Sequence, residues 1–400
     1  MHAGAVYVPV DPANPAKRNS AILQSSKATA VVVDEQTQRL ASIDSAVQIV
    51  LSQGWQQSAR PLEQATQRST ELSNIIYTSG STGTPKGVAT LHSGLANLLA
   101  SMQRLLRFDE SDRMLAITTA AFDASMFELC LPLWCGGCVE IVDEATRRDP
   151  SGLIARINNA SVSVMFGTPA TWQMLIARGW LGDPTLKIVC GGETLSRDLA
   201  DKLLKCGDEV WNIYGPTETT ICSTVEQVHP GTETVSIGSP IDRTTLQIMN
   251  SYMQLVPQGV PGELYIGGAG LAQGYYRQPE LTAKSFIADP LDAGQMLYRT
   301  GDLVRQREDG SLAYVGRTDH QIKLRGYRIE SGEIEAVLRD HPNITDAVLV
   351  MKGKAVADRY LEAYVVLQAD VDSQAIVTHL RSRLPAHMVP RRVIPMEKFR

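Results

Sequence analysis

The strongest constraint on the fold is a repeated pairing of a short apolar run with a glycine or proline turn at its end. Residues 161–169 read SVSVMFGTP, residues 186–192 read LKIVCGG and residues 209–215 read EVWNIYG. Earlier runs, ATAVVVDE at 28–35, SNIIYTS at 73–79 and RMLAITT at 113–119, alternate with segments of helical spacing. Residues 15–26, 91–106 and 124–134 are expected helices, and AVYVPV at 5–10 is an expected strand. A buried run of four to eight residues followed by a helix is the signature of βαβ units, so a mainly parallel sheet with flanking helices is expected. From residue 236 the texture changes to short strands between glycine-rich turns, as in an antiparallel barrel-like unit. A helix at 332–340, strands ITDAVLVMK and LEAYVVL and a helix at 373–384 then form a small α+β unit. Residues 53–73, rich in Gln, Ser and Thr, read as a surface connection.

At 400 residues the chain is too long for one ordinary core. It is 44% hydrophobic and 20% charged, within the range of a globular protein. A formal net charge of −5 argues against nucleic acid as the main partner. No apolar run is long enough to span a bilayer, and the first residues lack the pattern of a secretory signal, so the expected location is cytoplasmic and no membrane partner is expected. Six cysteines include the pair Cys135 and Cys138 in LWCGGCVEI. No second such pair accompanies it, so small buried residues beside a glycine turn are the expected reading rather than a zinc or redox site. Neither H-E-x-x-H nor G-x-S-x-G occurs.

The stretch IIYTSGSTGTPKGVA at 75–89 poses the functional question. It departs from the G-x-x-x-x-G-K-[ST] pattern of P-loop NTPases, because Lys86 follows Pro85 and precedes Gly87. Its glycines nevertheless let backbone N–H groups approach an anion, and its hydroxyls and lysine add donors. Its position after a buried strand suits a ligand-binding loop.

The full string resembles the phosphate loop of adenylate-forming enzymes, and most closely the adenylation domains of nonribosomal peptide synthetases. Seven further stretches resemble core motifs of that family, in the family's order: AGAVYVPVDP (3–12), AFDAS (121–125), NIYGPTETT (212–220), GELYIGGAGLAQGYYRQPELTAKSF (262–286), YRTGDL (298–303), GRTDHQIKLRGYRIESGEIE (316–335) and LPAHMVP (384–390). The resemblance implies stacked α/β subdomains and a small β-barrel in residues 1–317, and a mobile α+β C-terminal subdomain in residues 318–400. It implies ATP and Mg²⁺, an amino-acid substrate and a phosphopantetheinylated carrier domain as partner.

It also implies roles. Thr78, Ser79, Ser81, Thr82, Thr84 and Lys86 line the phosphate loop. Asn212 and Tyr214 bind adenine, and Thr217 contacts the α-phosphate. Glu218 holds the metal ion, and Asp302 binds the ribose hydroxyls with Arg317 nearby. Lys323 belongs to the nucleotide contacts, and Asp319 is the hinge residue. Asp123 pairs with the substrate's α-ammonium; its plainer reading is a helix N-cap. Acyl- and aryl-CoA ligases of the same fold typically lack that aspartate. Ala124, Phe127, Gly167, Val189, Gly191, Ile213, Ile221 and Cys222 complete the side-chain pocket, with Gly167 and Gly191 leaving space. Such a pocket suits a neutral, bulky apolar or aromatic side chain. Both ends of the chain read as cut. The family's catalytic lysine is expected beyond Arg400, so a weakly active fragment is expected, and a CoA ligase or a non-catalytic fragment are the alternatives.

Overall fold

The computed structural model describes residues 4–35, 37, 47–51, 68–80, 84–319, 321–353, 358–369 and 371–399. The chain divides into two compact units, one formed by Val88–Asp319 and the other by Met1–Gly87 with His320–Arg400.

In Val88–Asp319 the expected parallel sheet is present. Arg113–Ala116, Cys138–Ile141, Val164–Gly167, Lys187–Gly191 and Glu209–Tyr214 pair in parallel, and two antiparallel strands, Thr224–Gln227 and Ser239–Pro240, extend one edge. Alternation sends successive residues to opposite faces. Met114, Val164, Phe166, Val189, Trp211 and Ile213 join one apolar cluster with the helices His92–Leu106 and Ala124–Cys135. Leu115, Met165, Ile188, Cys190 and Val210 join another with the helices Pro150–Asn159, Pro169–Ala177 and Arg197–Leu203. Helices therefore cover both faces, which explains why these strands are continuously apolar.

The later residues of this unit form the antiparallel sheet expected from the glycine-rich turns. Thr244–Met249, Gly262–Gly268, Met296–Gln306, Phe286–Ala288 and Leu312–Arg317 make five strands. Leu264, Ile266, Val304 and Leu312 pack inside it with Tyr214 and Ile237.

In the other unit, Ile344–Lys352, Tyr360–Leu367 and Arg392–Met396 form a three-stranded sheet covered by the helices Ser331–Arg339 and Ser373–Arg381. The sequence reading groups residues 1–87 with the N-terminal part, whereas here they group with the C-terminal residues. Arg18 and Glu333 pair at 2.5 Å, and Ser79 Oγ donates to the Arg328 carbonyl at 2.8 Å. AVYVPV is not a strand. It makes a single bridge, Tyr7 with Asn74, because Pro9 has no N–H to extend the ladder. Most of residues 53–73 lie outside the described residues. Cys135 and Cys138 are half-buried rather than buried, with Gly136 left-handed at φ 76° between them. Among the described residues no helix is long and apolar enough to cross a membrane.

Candidate active site

The strand Glu209–Tyr214 delivers Asn212 and Tyr214 to its carboxyl end, the end at which open α/β sheets bind ligands. A short 3-10 turn, Thr217–Thr219, follows, and the chain then doubles back so that Thr224 pairs with Tyr214. The reversal places two consecutive β-branched residues at positive φ, Thr220 at 61° and Ile221 at 69°. This is a strained conformation for such side chains. The Thr220 hydroxyl donates to the Gly270 carbonyl at 2.6 Å and helps to hold it.

Glu218, on the 3-10 turn, is fully buried. Tyr275 Oη donates to its Oε1 at 2.7 Å, and the Glu218 carbonyl accepts the Ala272 N–H at 2.9 Å. Asn212 is also buried, with its Nδ2 donating to the Ser236 carbonyl at 2.7 Å. Thr217 is half-buried.

Tyr214, Asp302, Arg317 and Asp319 form a connected polar chain. Tyr214 Oη donates to Asp302 Oδ2 at 2.6 Å, and Arg317 Nη1 donates to Asp302 Oδ1 at 2.6 Å. Arg317 reaches onward with Nε to Asp319 Oδ1 at 2.6 Å and Nη2 to Asp319 Oδ2 at 2.7 Å. Strand register supports the arrangement, since Asp302 is the direct partner of Arg317. Gly301, at φ 72°, is required there: a Cβ would lie 2.8 Å from both Arg317 Nη2 and Asp319 Oδ2. Burial first, and the Asp302 charge second, push the Tyr214 phenol well above its ordinary range.

Asp123 caps the Ala124–Cys135 helix, accepting the Ala124 N–H at 2.8 Å. The backbone of Asp123 is already helical, at φ −60° and ψ −36°, and this bond reaches the adjacent N–H rather than the N2 or N3 N–H of an ordinary N-cap; the residue is half-buried. Ala124, the next residue, and Phe127, one turn on, enter an apolar cluster with Val189, Ile213 and Cys222, and Ile221 packs against it. Phe127 meets Phe166 edge-on, with centroids 6.4 Å apart. The two glycines expected to line the pocket are closely packed at the Cβ position. A Cβ on Gly167 would lie 3.0 Å from Trp172 Nε1, and one on Gly191 would lie 2.6 Å from Ile213 Cγ1. These glycines admit neighbouring side chains.

In the other unit, Thr78 ends the strand Leu72–Thr78, and its buried hydroxyl has no hydrogen-bond partner among the described residues. The Gly80 N–H donates to Glu333 Oε2 at 3.2 Å. A Cβ on Gly80 would lie 2.1 Å from the Thr84 carbonyl oxygen, so position 80 requires glycine. Lys86 is buried, with its Nζ 3.9 Å from Glu330 Oε1. Burial pushes the Glu333 carboxyl up, against the opposing pull of Arg18. Lys323 sits opposite Arg328 in a two-stranded hairpin. Thr84 is exposed, and Ser81 and Thr82 lie outside the described residues.

The family profile described as AMP-binding enzyme matches residues 1–276. The chain belongs to the AMP-binding enzyme family. A second profile, AMP-binding enzyme C-terminal domain, matches residues 333–400. This AMP-binding enzyme is 41% identical, over its whole length, to a dimodular nonribosomal peptide synthase of Bacillus subtilis (strain 168), of which it spans 17%. It is 38% identical to a four-domain nonribosomal peptide synthetase whose holo crystal structure holds AMP and glycine. That match has a TM-score of 0.72 and covers 100% of this chain and 30% of the other. The Vibrio cholerae adenylation domain AlmE, solved with glycyl-adenosine-5'-phosphate, is 25% identical with a TM-score of 0.88, and the match covers 99% of this chain and 82% of that one. The fold of this AMP-binding enzyme is therefore the mixed α/β fold of adenylation domains, and adenylate-forming enzymes use ATP.

Glu218 fits a magnesium ion by chemistry: it is a hard oxygen donor, and Mg²⁺ is commonly held by one or two carboxylates with phosphates and waters. The orphaned Thr78 hydroxyl and the required glycine at position 80 fit a phosphate. Two buried residues of this AMP-binding enzyme, Tyr275 and Glu128, carry polar contacts that the sequence reading did not assign. A signal existed for Glu128, a lone acid in the apolar run SMFELCLPLW. Tyr275 lies 57 residues from the carboxylate it touches, and nothing local announces the contact.

Proposed function

We propose that this chain activates an amino acid with ATP, forming an aminoacyl adenylate and pyrophosphate, and passes the aminoacyl group to the phosphopantetheine thiol of a carrier domain. A carboxylate oxygen of the amino acid bonds to the α-phosphorus while the bond to the β-phosphate oxygen breaks. The observation that carries the reading is Asp123, a carboxylate at the head of a helix whose next turn enters an apolar cluster. An α-ammonium beside Asp123 leaves the side chain directed to apolar walls.

The remaining roles follow the chemistry of each group. Thr78, Ser79, Ser81, Thr82, Thr84 and Lys86 hold the β- and γ-phosphates, and Thr217 donates to the α-phosphate. Asn212 and the Tyr214 ring bind adenine. Asp302, oriented from both sides by Tyr214 and Arg317, accepts the ribose hydroxyls. Lys323 adds a nucleotide contact. Magnesium held by Glu218 would neutralise phosphate charge. Residues 318–400 are the proposed C-terminal subdomain, with Asp319 as its hinge, and a cytoplasmic setting supplies ATP. The substrate side chain is neutral and bulky, because an unpaired charge among Phe127, Val189, Ile213 and Ile221 would be heavily unfavourable.

The test is ATP–pyrophosphate exchange across an amino-acid panel, with and without coenzyme A. Exchange led by leucine-like or aromatic amino acids and independent of coenzyme A supports the reading. Exchange led by an acidic or basic amino acid would show the pocket assignment to be wrong, and turnover that needs coenzyme A with a plain carboxylic acid would point to a CoA ligase.

A further inference from the structure

Glu128 stands in the middle of the apolar Ala124–Cys135 helix and has no solvent exposure. An uncompensated carboxylate there would be costly. Both of its oxygens bond Thr118: Oε2 accepts the Thr118 N–H at 2.8 Å, and Oε1 accepts the Thr118 hydroxyl at 2.8 Å. Thr118 lies just past the strand Arg113–Ala116, at the start of the loop that ends in Asp123. That loop is tied again further along. The Phe122 N–H donates to the Thr119 carbonyl at 2.9 Å, and Ser125 Oγ donates to the Phe122 carbonyl at 2.6 Å. The loop is therefore fastened at its beginning by Glu128 and at its end by the first turn of the same helix. Asp123 follows directly on the second anchor, between Phe122 and the helix. Simple packing would call for a leucine or methionine at 128; a carboxylate that grips both polar groups of Thr118 sets the path of the loop.

We propose that Glu128 is a positioning residue for Asp123, locking the 118–123 loop to the helix so that the Asp123 carboxylate is held for the substrate's α-ammonium. The inference rests on the amino-acid reading given above. Its distinctive consequence is selectivity between an amino acid and the same acid without its amino group. A purely structural Glu128 would alter stability and affect both ligands alike.

The experiment measures dissociation constants by calorimetry for two pairs, L-phenylalanine with 3-phenylpropanoate and L-leucine with 4-methylpentanoate. The chain is compared with Glu128→Leu, Glu128→Gln and Thr118→Val. Loss of both hydrogen bonds should lower the amino-to-desamino ratio about tenfold or more in Glu128→Leu. Glu128→Gln should restore most of the ratio, since its amide can accept from the Thr118 N–H and donate to the hydroxyl. Thr118→Val, which removes only the hydroxyl, should fall between and keeps the test decisive should Glu128→Leu not fold. ATP affinity should stay within about twofold, as these bonds lie away from the proposed nucleotide contacts. If the parent prefers the amino acids and all three variants keep that preference, this inference fails alone. If the parent shows no preference in either pair, the amino-acid reading fails and this inference with it.

Discussion

Tyr275 and Glu218 are joined by a 2.7 Å hydrogen bond, phenol to carboxylate, with both side chains buried. A hydrogen bond to a charged group is worth about 1.5–3 kcal/mol, so it limits where the carboxylate can point. Tyr275→Phe keeps the ring and its edge contact with Phe286 but removes the donor. The expected outcome is a roughly tenfold or larger rise in the magnesium concentration needed for half-maximal ATP binding, with the fold intact. A magnesium titration followed by calorimetry checks it; an unchanged midpoint would remove Glu218 from the metal assignment or Tyr275 from its support.

Asp302 accepts from Tyr214 on one oxygen and from Arg317 on the other. Asp302→Asn removes one of the two carboxylates bonded to Arg317 and leaves the pair with Asp319 in place, while the position loses the charge that the ribose hydroxyls would donate to. Nucleotide affinity and melting temperature should both fall. Tyr214→Phe removes one donor but retains the ring, so it should weaken AMP binding much less. Measuring AMP affinity for both variants separates ribose binding by the carboxylate from stacking by the ring.

The two readings of Asp123 can be separated by one substitution. Asparagine caps a helix as well as aspartate does but carries no charge. Asp123→Asn should therefore melt near the parent temperature, yet lose most amino-acid-dependent exchange while still binding ATP. Should the variant exchange as fast as the parent, the N-cap is the whole role of this residue.

The Glu128 carboxyl is pushed up to about 8 by burial, against the opposing hydrogen bonds from Thr118. A folded-state value above the unfolded one means that the folded chain holds the proton more tightly. The resulting stabilisation is complete below the unfolded value, near 4.5, and is lost as pH rises toward 8. Glu128→Gln has no such proton. Its stability relative to the parent should therefore improve steadily between about pH 5 and pH 8, and denaturant midpoints across that range check the sign.

The parallel strands were legible because each is a continuous apolar run closed by a turn residue, a signal contained within a few positions. AVYVPV carried the same apolar signal and failed, because Pro9 lacks the N–H a ladder needs. The motif residues around Tyr214 and Asp302 could be named from sequence, but their mutual contact spans 88 positions and depends on how two sheets are built. The packing around Gly167 and Gly191 was hidden for a related reason. An absent side chain is visible in the sequence, whereas the Trp172 and Ile213 side chains that fill the space are not.

The left-handed backbone at Ile221 makes the proposed pocket unequally open to redesign. Phe127 and Val189 are fixed in the core, and truncating a buried phenylalanine costs about 3–5 kcal/mol. Ile221 is half-exposed and occupies a conformation natural to glycine, with strain of about 1–3 kcal/mol to release. Glycine at 221 would relieve that strain as it enlarges the cavity, so acceptance of larger substrates could evolve there with little penalty to folding. Narrowing the cavity from the core positions has no such compensation, and drift in substrate size should run more readily toward the large.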